Sequence, residues 1–247
     1  MATIYKVGGC VRDKILGVET KDIDFTFVCE NSQTVEEGWG EMRSWMISGG
    51  FEIFLETPDC FTIRAKFPKG HKFEGLVADF VMARKEVGYL EGTRRPILEL
   101  GTLEDDLVRR DFTLNAMAED EEGNIIDLFK GRGHLDARLL KTPLPADQTM
   151  LDDPLRFIRA MRFSITKGFF IHQPIIEAMK QPEILEKLRY VVSAERIREE
   201  VSKMMAHNTT ASLKLLSRME TQLPGLTDLI FDRGLWLKPT FEKTKNH

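Results

Sequence analysis

The chain has 247 residues, 42% of them hydrophobic and 30% charged, with a formal net charge of −4, which is enough apolar content for one large or two small domains. A disulfide framework and a membrane span are excluded: Cys10, Cys29 and Cys60 are odd in number and share no metal-ligand spacing, and no apolar run nears the roughly 18 residues of a spanning helix. The first residues, MATIYKVGG, carry no signal-peptide pattern, so a reducing cytoplasm is the expected compartment.

In chain order, Ile4–Val7, Asp22–Cys29, Phe51–Leu55, Phe61–Phe67 and Leu76–Met82 read as strands, rich in β-branched and aromatic residues with Gly and Pro between them. Cys10–Leu16 and Val35–Ser48 read as helices, and PKGHKFEG as a turn between two strands. After Pro143 the pattern becomes helical. Pro154–Ser164, Gln173–Lys180, Glu183–Leu188, Ala194–Met205 and Ala211–Glu220 are amphipathic, the last with Leu213, Leu216 and Met219 as its apolar stripe. Charge follows the same division. Residues 151–247 hold 16 basic and 12 acidic side chains, while residues 1–150 hold 19 and 27, a balance compatible with metal chemistry in the first part and polyanion contact in the second.

The densest chemical signal is VGGCVRDKILGVETKDIDF, residues 7–25. Asp22 and Asp24 stand one residue apart in an extended stretch, so both carboxylates project to one side. Like charges that close attract a divalent cation. Gly8 and Gly9 let a phosphate chain approach the backbone ahead of a helix N-terminus. Asp79, in LVADFVMARKE, completes such a site if its strand lies beside that of Asp24. Downstream, DLVRRDFTLNAM places Arg109, Arg110, Asp111 and Asn115 within two turns; read as one helix, it puts Asp111 and Asn115 on one face. The arginine fork suits triphosphate oxygens, and Asn can reach a sugar hydroxyl. In LDDPLRFIRAMRF, Asp152 reads as an N-cap, with Asp153 and Pro154 in the first turn and Leu155, Ile158 and Met161 in the core. Asp153 and Arg156, three apart, can present an acceptor and donors to a base edge.

These blocks, in this order from about Tyr5 to Met205, closely resemble the class II tRNA nucleotidyltransferases, the CCA-adding enzymes, and their bacterial poly(A) polymerase relatives. VGGCVRDKILG…DIDF resembles the family's catalytic motif, RRDFTLNAM its ribose-reading motif, DLFKGRGHLDARLLKTP its hinge segment, DDPLRFIRAMRF its base-recognition motif and SAERIREEVSKMM its later neck-helix motif. The resemblance implies an α+β fold: a polymerase-β-like head with a mixed or antiparallel sheet over residues 1–138, an all-α neck over 139–205 and a truncated helical body over 206–247. It implies that Asp22 and Asp24 bind Mg2+, with Asp79 as a further carboxylate, and that Gly8, Gly9, Arg12 and Asp13 shape the triphosphate site. By the same resemblance Arg109, Asp111 and Asn115 contact the incoming nucleotide, Asp111 near the ribose 2′-hydroxyl. Asp153 and Arg156 read the base of CTP or ATP, with Arg159 nearby on a phosphate. The loop Gly88–Pro96 matches the segment that helps switch between C and A addition.

Two features depart from the pattern. Many bacterial relatives carry Glu-Asp where this chain has Asp152-Asp153, and Asp153 is expected to do the reading. The family's full helical body and tail, which grip the tRNA elbow, are not matched by a chain ending at His247. The expected activity is therefore Mg2+-dependent addition of C and/or A to the 3′ end of tRNA. The alternatives are poly(A) polymerase, a C-only or A-only enzyme, transfer to a small molecule or protein, and a nucleotide- or RNA-binding chain without transfer activity.

Overall fold

The computed structural model describes residues 3–20, 22–89 and 96–232. The chain divides into two compact units, Met1–Leu135 and Asp136–His247.

The first unit is built on a seven-stranded mixed sheet in the order β3-β4-β5-β2-β1-β8-β9. Its strands are β1 (Thr3–Val7), β2 (Asp24–Val28), β3 (Glu52–Thr57), β4 (Thr62–Lys66), β5 (Val77–Met82), β8 (Ala118–Glu119) and β9 (Ile125–Ile126). β2 lies antiparallel to β1 and parallel to β5, at the centre of the sheet. Alternation along β2 and β5 sends Phe25, Phe27, Phe80 and Met82 to one face, where they meet α2 (Val35–Ser48) through Met42 and Met46. Phe25 and Phe80 stack with centroids 5.1 Å apart, and Phe51 and Phe67 pack edgewise or tilted beside them. The helix begins with a capping box, the Thr34 side chain accepting from the Glu37 N–H and Glu37 reaching back. A Cβ on Gly38 would lie 2.6 Å from Leu100 Cδ2, so any larger residue there would make the Leu100, Cys29 and Met82 side chains shift. On the opposite face Val7, Leu107, Ala116 and Ala118 form a second cluster with Tyr5, Leu103, Ile126 and Phe129.

The five expected strands and the expected helix Val35–Ser48 all form, with ends shifted by one or two residues. Strands outside that expectation also form: β8 and β9 extend the sheet, and β6 (Arg84–Tyr89) and β7 (Pro96–Leu100) pair antiparallel. β6 and β7 flank the loop singled out above, whose residues 90–95 lie outside the described residues. The segment 109–115 is not one helix. α3 (Leu103–Val108) stops at Arg109, Phe112 is extended, and Thr113–Asn115 forms a 3₁₀ turn.

After α4 (Gly131–Asp136) the second unit is helical: α5 (Ala146–Asp152), α6 (Leu155–Lys167), α7 (Gln173–Ala178), α8 (Pro182–Tyr190), α9 (Ala194–His207), α10 (Thr209–Gln222) and α11 (Leu226–Phe231). A two-residue parallel ladder, β10 (Leu139–Leu140) with β11 (Phe170–Ile171), interrupts the all-α expectation. Leu155, Ile158 and Met161 are buried as their spacing required. Asp152 ends α5 instead of capping α6, because Pro154 and the extended Asp153 break the two helices apart. In α10 the buried stripe is Ser212, Leu215, Leu216 and Met219, and Leu213 is 55% exposed. Leu213 falls outside the i, i+3/i+4, i+7 face that starts at Ser212. Among the described residues no helix is long and apolar enough to cross a membrane.

Candidate active site

The acidic residues of the first unit are gathered by strand register. Asp24 opens β2 directly opposite Asp79 of the parallel strand β5, so the two side chains share a face. Asp22 is exposed in the stretch just before β2. Arg64, opposite Asp79 on β4, donates from Nη1 to its Oδ2 at 3.2 Å. Asp24 as a whole is exposed, yet the atoms packed around its carboxyl desolvate it, and this raises its pKa. Arg110 and Arg64 oppose the rise, while Asp79 and Asp22 add to it. Asp79 and Asp22 place like charge beside Asp24, and a hard divalent cation relieves such crowding. Among the described residues no three His, Cys, Asp or Glu side chains form a ready-made ligand cage.

The diglycine turn is shaped as its sequence requires. Gly8 has φ +79° and ψ −134°, a conformation closed to residues with a Cβ, and its N–H donates to Met117 O at 3.4 Å. α1 (Gly9–Ile15) follows and carries Arg12 and Asp13 inward, 5% and 7% exposed. Arg12 Nε and Nη2 each donate to the Asp13 carboxylate at 2.9 Å, and Nη1 donates to Asn115 Oδ1 at 2.6 Å. Asn115 Nδ2 in turn donates to Asp111 Oδ1 at 2.9 Å, which also accepts the Phe112 N–H at 2.8 Å. The expected proximity of Asp111 and Asn115 is thus met through the 3₁₀ turn. Four of the expected site residues form one buried chain of charge-assisted hydrogen bonds.

Arg109 and Arg110 are joined from below. Asp106, 1% exposed, accepts from Arg109 Nη2 at 2.6 Å and from Arg110 Nη2 and Nε at 2.8 and 3.3 Å. The Thr26 hydroxyl of β2 donates to the same carboxylate at 2.8 Å. Burial acts to raise the Asp106 pKa, but the two guanidiniums, Arg110 foremost, and the hydrogen bonds from Arg110 and Thr26 outweigh it and hold the pKa at about 2. A depressed folded-state pKa stabilises the fold above the unfolded value and loses that contribution as pH falls through the folded one. Asp106 therefore contributes about 2 kcal/mol at neutral pH, withdrawn between about pH 4 and pH 2. Denaturant melts of Asp106→Asn should lose that part of the acid-side slope; an unchanged slope between those pH values contradicts the assignment.

In the second unit Asp153, between α5 and α6, accepts the Leu155 N–H at 3.1 Å and Arg196 Nη2 of α9 at 2.7 Å. Arg156 Nη1 donates to Thr149 O at 3.2 Å. Arg159 Nη1 and Arg162 Nε both donate to Glu200 of α9, a carboxylate 6% exposed, the first at 3.2 Å. Asp153, Arg156 and Arg159 thus sit on one break-and-helix segment, with α9 behind them.

The residues without an expected role are the supports. Asp106 stands three and four positions before Arg109 and Arg110, a spacing at which an acid meets arginines on a helix, so its pairing was readable in the sequence. Thr26, Arg64, Arg196 and Glu200 lie far in sequence from the residues they hold, and no local pattern marks them.

Residues 4–141 match the poly(A) polymerase head domain. A tRNA nucleotidyltransferase of Schizosaccharomyces pombe is 33% identical over 216 residues, covering 85% of this chain and 42% of that protein. A CCA-adding enzyme of Pseudomonas putida is 37% identical over 210 residues, covering 82% and 50% respectively. The crystal structure of the Bacillus stearothermophilus CCA-adding enzyme in complex with CTP superposes with a TM-score of 0.68 at 29% identity, over 91% of this chain and 50% of that one. The chain spans about half the length of the relatives it matches.

Proposed function

Because the chain belongs to the poly(A) polymerase head-domain family, we propose that it is a template-independent RNA nucleotidyltransferase. Its reaction adds C and/or A from CTP and ATP to the 3′ end of tRNA, as CCA addition or repair. The observation that carries this reading is the placement of Asp24 opposite Asp79, on the unit that also holds the Gly8 turn and the Arg109–Arg110 pair. Relatives named for tRNA and CCA, and a neighbour solved with CTP, support the substrate class.

Asp22 and Asp24 would hold Mg2+, with Asp79 as the flanking carboxylate once Arg64 yields it. The ion, when bound, lowers the pKa of the RNA 3′-hydroxyl and neutralises phosphate charge. The hydroxyl gives its proton to solvent and its oxygen bonds to the α-phosphorus, the bond from that phosphorus to the oxygen bridging to the β-phosphate breaks, and pyrophosphate leaves with that oxygen. Gly8 and Gly9 keep the turn free of side chains so that phosphates approach the backbone, and Arg109 and Arg110 balance the charge of the departing group. Arg12 and Asp13 hold the turn from inside, and Asn115 carries that order to Asp111, the candidate partner of the ribose 2′-hydroxyl. Asp153 and Arg156 are the candidate readers of the base, with Arg159 nearby for a phosphate. Residues 1–138, 139–205 and 206–247 correspond in this reading to head, neck and body, and the free thiols Cys10, Cys29 and Cys60 suit the cytoplasm.

Arg156→Ala tests base reading. Losing a charged donor to a base edge should cut discrimination against UTP and GTP by roughly ten- to hundredfold, with a smaller change in KM for CTP. Competition assays on tRNA lacking its 3′ CCA measure both. Undiminished exclusion of UTP and GTP places base selection elsewhere. Product length separates the related activities, since a poly(A) polymerase gives a ladder with ATP alone.

A further inference from the structure

We propose that Asp106 is a positioning residue that fixes Arg109 and Arg110 against the strand bearing Asp24, presenting both guanidiniums in one orientation and keeping Arg110 off the Asp24 carboxylate. This inference rests on the nucleotidyl-transfer reading and adds a residue that never touches substrate, since Asp106 is 1% exposed.

A carboxylate offers about four acceptor positions, and here they receive four donors: Arg109 Nη2, Arg110 Nε, Arg110 Nη2 and Thr26 Oγ1. The two donors from Arg110 engage one side of its fork, which sets the plane of the guanidinium. Its remaining nitrogen, Nη1, then lies 2.8 Å from the point where a Cβ on Gly8 would stand. Arg110 therefore overhangs the diglycine turn at the place where the phosphates are expected. Thr26 supplies the link to the catalytic strand. It is two residues beyond Asp24 and on the same face of β2, fully buried, with its hydroxyl on the Asp106 carboxylate at 2.8 Å.

The contrast with Asp79 explains why such a clamp is needed. Among the described residues no buried carboxylate holds Arg64 on β4, which is half exposed and bonds directly to the Asp79 carboxylate. Arg110 is close enough to Asp24 to be the strongest favourable charge on it. Released from Asp106, Arg110 would be free to turn toward the Asp24 carboxylate, whose charge it already favours, and to compete there with a cation.

The test compares Asp106→Asn, Thr26→Val and Thr26→Ser with the parent chain, at a temperature where circular dichroism shows each folded. CTP binding without metal is measured by calorimetry, and nucleotide addition is titrated with Mg2+. Asp106→Asn is expected to weaken CTP binding roughly ten- to hundredfold and to raise the Mg2+ concentration for half-maximal rate. Thr26→Val is expected to shift both quantities the same way by less, and Thr26→Ser to restore them. A folded Asp106→Asn or Thr26→Val with parental CTP affinity and parental Mg2+ dependence overturns the proposal. If Asp106→Asn does not fold, Thr26→Val decides by the same criteria. A parent chain that binds CTP but adds no nucleotide refutes the transferase reading, and the CTP affinities then decide whether Asp106 orients the arginines. A parent chain that does not bind CTP overturns both.

Discussion

Asp24→Ala should reduce nucleotide addition at least about a thousandfold, the scale of the several kcal/mol that a correctly placed metal contributes to phosphoryl-type transfer. The fold should be no less stable for the change. Packing raises the Asp24 pKa, and Asp79 and Asp22 add to the rise against Arg110 and Arg64. A raised carboxyl pKa means that ionisation opposes folding: the folded state gains a proton more readily, and the cost grows as pH rises through the folded value. At neutral pH the variant should therefore melt at the parental temperature or slightly above it. Asp22→Ala should show the same pattern of lost turnover and retained fold. Substantial residual turnover in either variant, or a clear drop in melting temperature for Asp24→Ala, contradicts the site.

Arg12→Ala should have the opposite signature, a loss of stability first. Arg12 is 5% exposed and holds the buried Asp13 carboxylate through two nitrogens while its third bonds Asn115. Removing one member of a buried ion pair costs about 3–5 kcal/mol, because the other charge stays behind without its counterion. For a chain of this size that corresponds to a fall of roughly 10 °C in melting temperature. Arg12→Lys keeps the charge but loses the planar fork, so it should fall between parent and alanine. Urea melts measure the difference; a loss under about 1 kcal/mol shows that Asp13 and Asn115 do not depend on Arg12.

Much of this was legible in the sequence because the signals are local. The strand read over Asp22–Cys29, the helix read over Val35–Ser48 and the Gly8-Gly9 pair each report their own surroundings within a few residues. The same holds for Asp24, whose partner Asp79 needed only one further inference, that two strands lie side by side. What was misread depended on interactions across the chain or on a break in periodicity. Residues 109–115 look helical by spacing, but Phe112 turns extended as its ring is buried, and the chain restarts as a 3₁₀ turn. Asp152 looks like an N-cap, but the extended Asp153 takes the role of acceptor for the Leu155 N–H. Glu200 gathers Arg159 and Arg162 from about forty residues away, and no period in the sequence announces such a contact.

The central claim is that this chain joins nucleotides to a tRNA 3′ end, and the most direct test is extension of labelled tRNA lacking its 3′ CCA. The protein is supplied with Mg2+ and with CTP alone, ATP alone, or both. Two nucleotides added with CTP, three with both, and none added in the presence of EDTA are the expected result. No incorporation under any of these conditions, by a protein that is folded, contradicts it.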